Sequence, residues 1–184
     1  MSTTDRVISA KITRAGMRAL FNATQTGVDL KLSHIAIGTG QGSGYVPTGN
    51  EGALRTEFLR QAIGGGEYLT DYEILVQALL DGPSTGWVHE VGVFDEAGVM
   101  FALWSEPNAP LAFKSVNVPV IIALTLAVSE IPPNSLTIIS GGPSVNIFIA
   151  GPFAQLSAEI IRLQRRAVES ENARLIPQIQ TTWF

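Results

Sequence analysis

Carboxylates are the residues of this chain that most readily invite a reaction. They fall in two groups, Asp71 with Glu73, and Glu90 with Asp95 and Glu96. Glycoside hydrolysis needs two carboxyl groups about 5–10 Å apart across a cleft. The sequence does not show whether either group has that spacing. His34 and His89 are the only histidines, and neither has the paired His/Cys spacing of a zinc site. In a strand His89 and Glu90 point to opposite faces, so they do not form a ready acid–base pair. Both histidines read as core-edge or surface residues. Gly38-Thr39-Gly40-Gln41-Gly42-Ser43-Gly44 invites a phosphate-loop reading. It lacks a Lys-Ser/Thr ending, and no helix with a free N-terminus clearly follows. Gly42-Ser43-Gly44 lies in a loop rather than on the strand–turn–helix elbow of a nucleophilic serine. The absence of cysteine excludes disulfides and thiolate metal sites and fits a chain made in a reducing compartment. The expectation is no catalytic site, no cofactor and no metal.

Glu90 and Asp95 sit on what reads as a β-hairpin, Gly86 to Ala102. An apolar strand enters, Asp95-Glu96-Ala97-Gly98 turns it, and a second apolar strand leaves. Upstream, residues 6–12 read as a strand. Thr13 caps a helix from Arg14 to about Thr24, with Met17, Leu20, Phe21 and Thr24 on one face and Gly27 past its end. Gly16 weakens that helix by roughly 1 kcal/mol relative to alanine. Leu30 to Thr39 reads as a strand with Leu30, Leu32, His34 and Ala36 on one side and Ser33, Ile35 and Ile37 on the other. A long Gly-rich connection follows to about residue 50. Residues 53–63 fit either a helix or a strand. Tyr68 to Leu80 reads as one strand, and Val116 to Val128 gives the clearest alternation, with Pro119 near its start. Leu136 to Ser140 adds a short strand.

Between Pro152 and Pro177 there is neither glycine nor proline, and the pattern turns helical. Phe153, Leu156, Ile160, Leu163 and Ala167 follow coiled-coil spacing, and Ile161, Val168 and Leu175 repeat every seven residues on an adjacent stripe. The tail, Gln178 to Phe184, ends in Trp183-Phe184, and aromatics of this kind are favoured interface anchors.

Apolar residues make up 46% of the 184 residues, but charged ones only 15%, against roughly 25% in ordinary soluble domains. So little charge fits a chain that covers surface in an assembly, or an all-β protein with few solvated faces. The net charge of −4 argues against a nucleic-acid partner. The longest apolar stretch, 116–128, is too short and too alternating to span a bilayer, and the N-terminus is not a signal peptide.

The central block resembles the N-terminal domain of bacteriophage tail fibre proteins of the tail-collar type found on contractile-tailed phages. The residues that carry the likeness are Trp87, then Glu90-Val91-Gly92-Val93-Phe94-Asp95, Gly98 and Val99-Met100-Phe101-Ala102. Thr13-x-x-Gly16, Ile35-Ala36-Ile37-Gly38-Thr39-Gly40, Leu54-x-x-Glu57-x-x-Arg60 and the strand Val118–Val128 follow in the family's order. The likeness covers about residues 6–130. It implies a non-enzymatic attachment domain that docks a fibre on the baseplate, usually as a trimer. Members usually continue into a long shaft and a receptor-binding tip, whereas this chain stops after one helix, which puts host recognition by the chain itself in doubt.

The expected architecture is α+β. A β-rich antiparallel attachment domain with one or two helices spans 1–145, an oligomerisation helix 146–177 forms a trimeric coiled coil, and 178–184 is an aromatic tail. The expected interface residues are Leu156, Ile160, Leu163, Ala167, Val168, Leu175, Trp183 and Phe184. The expected partners are two further copies, baseplate proteins and a distal fibre subunit, with no nucleic acid and no membrane insertion. The expected location is the virion, after synthesis in the bacterial host cytoplasm. Two alternatives stay open: a glycan- or receptor-binding module using Trp87, Trp104 or Trp183, and a glycan hydrolase using Glu90 or Asp95.

Overall fold

A computed structural model describes residues 9–107, 109–128 and 135–144, together with Arg162 and Arg166. The chain divides into Met1–Val145 and Asn146–Phe184, and all the elements named here belong to the first unit. They are β1 (Ser9–Ile12), α1 (Arg14–Gln25), β2 (Leu30–Gly38), a 3-10 turn (Gly40–Gly42), β3 (Glu57–Ala62), β4 (Gly65–Thr70), β5 (Glu73–Leu80), β6 (Gly86–Val88), β7 (Glu90–Asp95), β8 (Met100–Ser105), β9 (Ala112–Lys114), β10 (Val120–Ala127) and β11 (Leu136–Ile138). The unit is β-rich with one α-helix among the described residues, which fits the α+β class. The expected coiled coil and its interface residues, 156 to 184, lie outside the described residues.

Nine strands form one sheet in the order β11-β2-β7-β8-β1-β10-β5-β4, with β3 also on β2, and β6 pairs with β9 as a separate ribbon. Two segments carry the sheet around corners. Ser9 and Ala10 of β1 pair with β10, while Lys11 and Ile12 pair with β8. Between β3 and β4, the Ile63 N–H reaches Ser33 O at 2.8 Å and the Gly64 N–H reaches Gln77 O at 2.9 Å. The chain thus passes from the β2 side to the β5 side, and the sheet curls back on itself around one core. Ile74, Val76, Ala78 and Leu80 of β5 and Ile122, Leu124 and Leu126 of β10 alternate into it, as period-2 patterning requires.

The sheet formed by β2, β7 and β8 is buried on both faces. Val91 and Val93 face the main core, and Phe94, Met100 and Leu103 face a second cluster with Ala36, Tyr45 and Leu54. The loop between the 3-10 turn and β3 lies over this second face as a strap. Both faces of β7 are therefore dry, and all six of its residues are buried.

Several details differ from the sequence expectations. Tyr68 to Leu80 is a hairpin, β4 and β5, reversed at Asp71-Tyr72, with no glycine or proline to mark the turn. Trp87 belongs to β6, which pairs with β9; the hairpin proper is β7 and β8. Residues 57–62 are a strand. In β2 the register slips between Leu32 and His34, so Leu32 joins Ile35 and Ile37 in the main core while Ala36 faces the strap. One extra residue on one strand exchanges the faces beyond it.

Helix α1 also turns a different face inward. Gly16 and Leu20 are buried, Met17, Ala19 and Ala23 pack against the core, and Phe21 is 62% exposed. Gly16 is the cause. A Cβ there would lie 2.6 Å from both Cα and O of Phe101, so only glycine lets the helix rest on β8. Thr13 fixes the approach: its hydroxyl accepts from Gly16 N–H at 2.9 Å and donates to Met100 O at 2.5 Å. Gly16→Ala should therefore lower stability by about 1–3 kcal/mol through overpacking, against its gain in helix propensity. Urea unfolding of the full chain checks this, and a raised midpoint would contradict the contact.

Candidate functional site

Glu90 opens β7 and is 0% exposed. Its carboxylate accepts four hydrogen bonds, three from the strap and one from the 3-10 turn before it. Oε1 takes Thr56 N–H at 2.8 Å and Gly40 N–H at 3.2 Å. Oε2 takes the Tyr45 hydroxyl at 2.7 Å and Arg55 N–H at 3.0 Å. The Gly-x-Gly at 38–40 makes this possible. A Cβ on Gly38 would overlap the Glu90 carboxylate, and Gly40 takes a φ of +60° to turn its N–H inward. The Arg55 guanidinium stacks on the Tyr45 ring at 3.5 Å. Ser105 Oγ adds a further tie, accepting from Tyr45 N–H at 3.0 Å and donating to His89 O at 2.7 Å. Burial, then the hydrogen bond and charge of Glu90, raise the Tyr45 phenol far above its ordinary value of 10.0.

This arrangement is a structural clamp. A carboxylate has about four acceptor positions, and Glu90 has all of them engaged. It has none left for moving a proton on a substrate. Asp95 serves the β7–β8 turn, accepting Val99 N–H on Oδ1 at 2.7 Å. Five residues along one strand place Glu90 and Asp95 about 16 Å apart, too far for the paired carboxylates of a glycosidase. Glu96 meets Lys31 at 3.6 Å beside an open cleft lined by residues 28–31 and 95–97. Asp71 and Glu73 flank the exposed tip of the β4–β5 hairpin.

The histidines are not brought together. His34 Nδ1 lies 2.8 Å from Ser33 Oγ, and the buried Nδ1 of His89 has no hydrogen-bond partner. No cluster of potential metal ligands occurs among the described residues. The Gly-rich loop folds into the 3-10 turn with Gly42 N–H on Thr39 O at 2.8 Å, and its Gly40 N–H is occupied by Glu90, so it offers no phosphate cradle.

Two features escaped the sequence reading. Lys114 is 0% exposed, and its ammonium donates to Ser115 O at 2.7 Å and Gly82 O at 3.1 Å, tying the loop before β6 to the end of β9. No sequence signal marks that lysine as buried. Beside it, Trp87 and Phe113 pair across the ribbon edge-on, with centroids 5.0 Å apart, each about half exposed.

The buried Glu-apolar-Gly-apolar-apolar-Asp strand, the glycine-backed clamp and the capped helix are the features that the sequence likeness rests on. A family model described as the N-terminal domain of phage tail-collar fibre protein matches residues 5–116, more than half of the 184-residue chain. The chain belongs to this family. No curated protein and no solved structure matches it. The matched span ends just past β9, so β10 completes the tail-collar fibre sheet from outside it. The family is a structural one, which makes the chain a structural protein of a phage tail fibre and a component of the virion. No helix among the described residues is long and apolar enough to cross a membrane.

The clamp predicts an order of effects. Glu90→Gln leaves two donors facing an amide N–H group and should cost about 2–6 kcal/mol, while Tyr45→Phe removes one charged hydrogen bond and should cost about 1.5–3 kcal/mol. Urea unfolding gives both values; a Glu90→Gln cost below that of Tyr45→Phe would contradict the clamp. A pH dependence follows from Tyr45. Its folded pKa is raised, so its contribution is complete below pH 10 and falls as the pH rises further, because the unfolded chain ionises first. Above pH 10 the wild type should lose stability more steeply than Tyr45→Phe, by up to about 1.4 kcal/mol per pH unit. Equal slopes in unfolding titrations would contradict the burial of that phenol.

Proposed function

We propose that this chain is the base of a tail fibre, an adaptor that fixes the fibre to the baseplate and passes on to a distal fibre subunit. The observation that carries this reading is the tail-collar family match over residues 5–116. In this reading unit 1 is the attachment domain and the chain acts without catalysis. Residues 146–177 form a trimeric coiled coil through Leu156, Ile160, Leu163, Ala167, Val168 and Leu175. The tail, with Trp183 and Phe184, receives the distal subunit. The heptad spacing, the aromatic pair Trp183-Phe184 and the low charge of 15% support it.

A glycan-binding role finds less support. Trp104 is buried at 6% exposure, and Trp87 meets Phe113 at 62°, so the described tryptophans offer no broad flat platform.

Light scattering of the full chain should give three copies, and Leu156→Asp with Leu163→Asp should reduce it to one. A wild-type monomer at high concentration contradicts the coiled coil. Removing residues 178–184 should leave the trimer intact and abolish capture of the distal fibre protein. Unchanged capture contradicts the handover.

A further inference from the structure

The β4–β5 hairpin carries large apolar side chains that are exposed among the described residues. Gly66 to Glu73 are all exposed. Tyr72 is 55% exposed, Leu69 48% and Tyr68 43%, high values for large side chains in a chain with so few charges. The hairpin is held in place. Tyr68 donates its hydroxyl to Leu136 O at 2.7 Å, Val128 N–H reaches Tyr72 O at 2.7 Å, and Thr70 Oγ1 accepts Tyr72 N–H at 3.2 Å. Ordered, half-exposed tyrosines lose little conformational entropy when a partner covers them.

Every charged residue of the hairpin itself is acidic. Glu67, Asp71 and Glu73 stand among the apolar residues along the hairpin, and all three are exposed. Residues 61–113 contain eight carboxylates and no lysine or arginine. Asp29, which accepts Thr137 Oγ1 at 2.9 Å, adds negative charge beside Tyr68. The cation of β2, Lys31, is engaged by Glu96 at 3.6 Å. An anionic membrane or a nucleic acid is repelled by such a face. A self-paired contact between two identical hairpins is opposed too, because it sets six carboxylates against one another.

We infer that the β4–β5 hairpin is the face by which the domain docks on its particle, and that its partner is a protein surface carrying arginine or lysine side chains around an apolar depression. Tyr72, Leu69 and Tyr68 fill the depression, and Glu67, Asp71 and Glu73 meet the cations at its rim. The inference rests on the attachment reading and names the face and chemistry it uses. Arginine suits the partner role because it pairs with carboxylates and stacks on tyrosine rings.

The test uses the full-length chain and tail particles assembled in cells that lack its gene, with co-sedimentation as the readout. Wild type should bind, and its binding should weaken as added salt shortens the screening length from about 10 Å at 0.1 M to about 3 Å at 1 M. Glu67→Lys with Asp71→Lys and Glu73→Lys should lower the bound fraction at least about tenfold, and Leu69→Ala with Tyr72→Ala by a similar factor. The neutral set Glu67→Gln, Asp71→Asn and Glu73→Gln should also weaken binding while keeping a wild-type near-ultraviolet circular dichroism spectrum. Wild-type binding by all three sets overturns the hairpin assignment and leaves attachment standing. The same holds if only Trp87→Ala with Phe113→Ala abolishes binding, which moves the contact to the β6–β9 ribbon. A change in the light-scattering mass of the hairpin variants, with particle binding intact, makes a second copy the occupant and overturns the inference. Failure of wild type itself to co-sediment overturns the attachment reading and this assignment with it.

Discussion

A carboxylate placed in a dry interior is unfavourable by several kcal/mol unless its charge is fully met by donors. Glu90 meets that condition without a salt bridge. Its donors are three backbone N–H groups and one phenol, from residues 34 to 50 positions earlier in the chain. Each bond to a charged acceptor contributes about 1.5–3 kcal/mol, roughly twice a neutral one. The strap has other ties, including Arg14 N–H on Gly49 O at 2.8 Å. Glu90 joins both ends of the segment from Gly40 to Thr56 to a central strand. Its local consequence is that the Gly-rich loop, whose composition favours mobility, is fastened to a central strand.

The clamp explains why so much of this small domain can be buried twice. With the strap down, β7 and its neighbours have a core on each side, and Phe94 is covered further by the Arg60 guanidinium at 3.7 Å. Arg60 is itself held by a bidentate pair with Glu57 at 2.7 and 2.8 Å. The helix is added by the same principle of close approach. Gly16 brings it onto Phe101, and the Thr13 hydroxyl accepts a hydrogen bond from the helix and donates one to β8. Small residues at 16, 38 and 40 are thus the spaces into which other groups fit.

These relations set what the sequence could and could not reveal. Alternation in β5 and β10, the Thr13 cap and the Asp95 turn are local, and they were legible because one residue type at one spacing decides each of them. The face exchange in β2 was not legible, since the bulge near Ser33 depends on its pairing with β7. The turn at Asp71-Tyr72 was hidden because the residues on either side favour strand. Glu90 was visible as a carboxylate, but its partners are mostly peptide N–H groups, which every residue possesses and no motif displays. The buried Lys114 was invisible for the same reason, as its acceptors are carbonyls.

The middle of the block that carries the family likeness is inaccessible, although Trp87 at its start is about half exposed. All six positions from Glu90 to Asp95 are buried, so a partner cannot touch them while the domain is folded. What that block reports is the fold. The same residue type serves opposite ends elsewhere: inside, Glu90 has its charge satisfied by the strap and the 3-10 turn before it, while at the hairpin tip Glu67, Asp71 and Glu73 are left to water. A buried carboxylate with four donors can only hold the chain together. An exposed group of three, set around tyrosines on an ordered hairpin, has its favourable interactions still to make. In the proposed attachment role, recognition therefore falls to residues outside that buried strand.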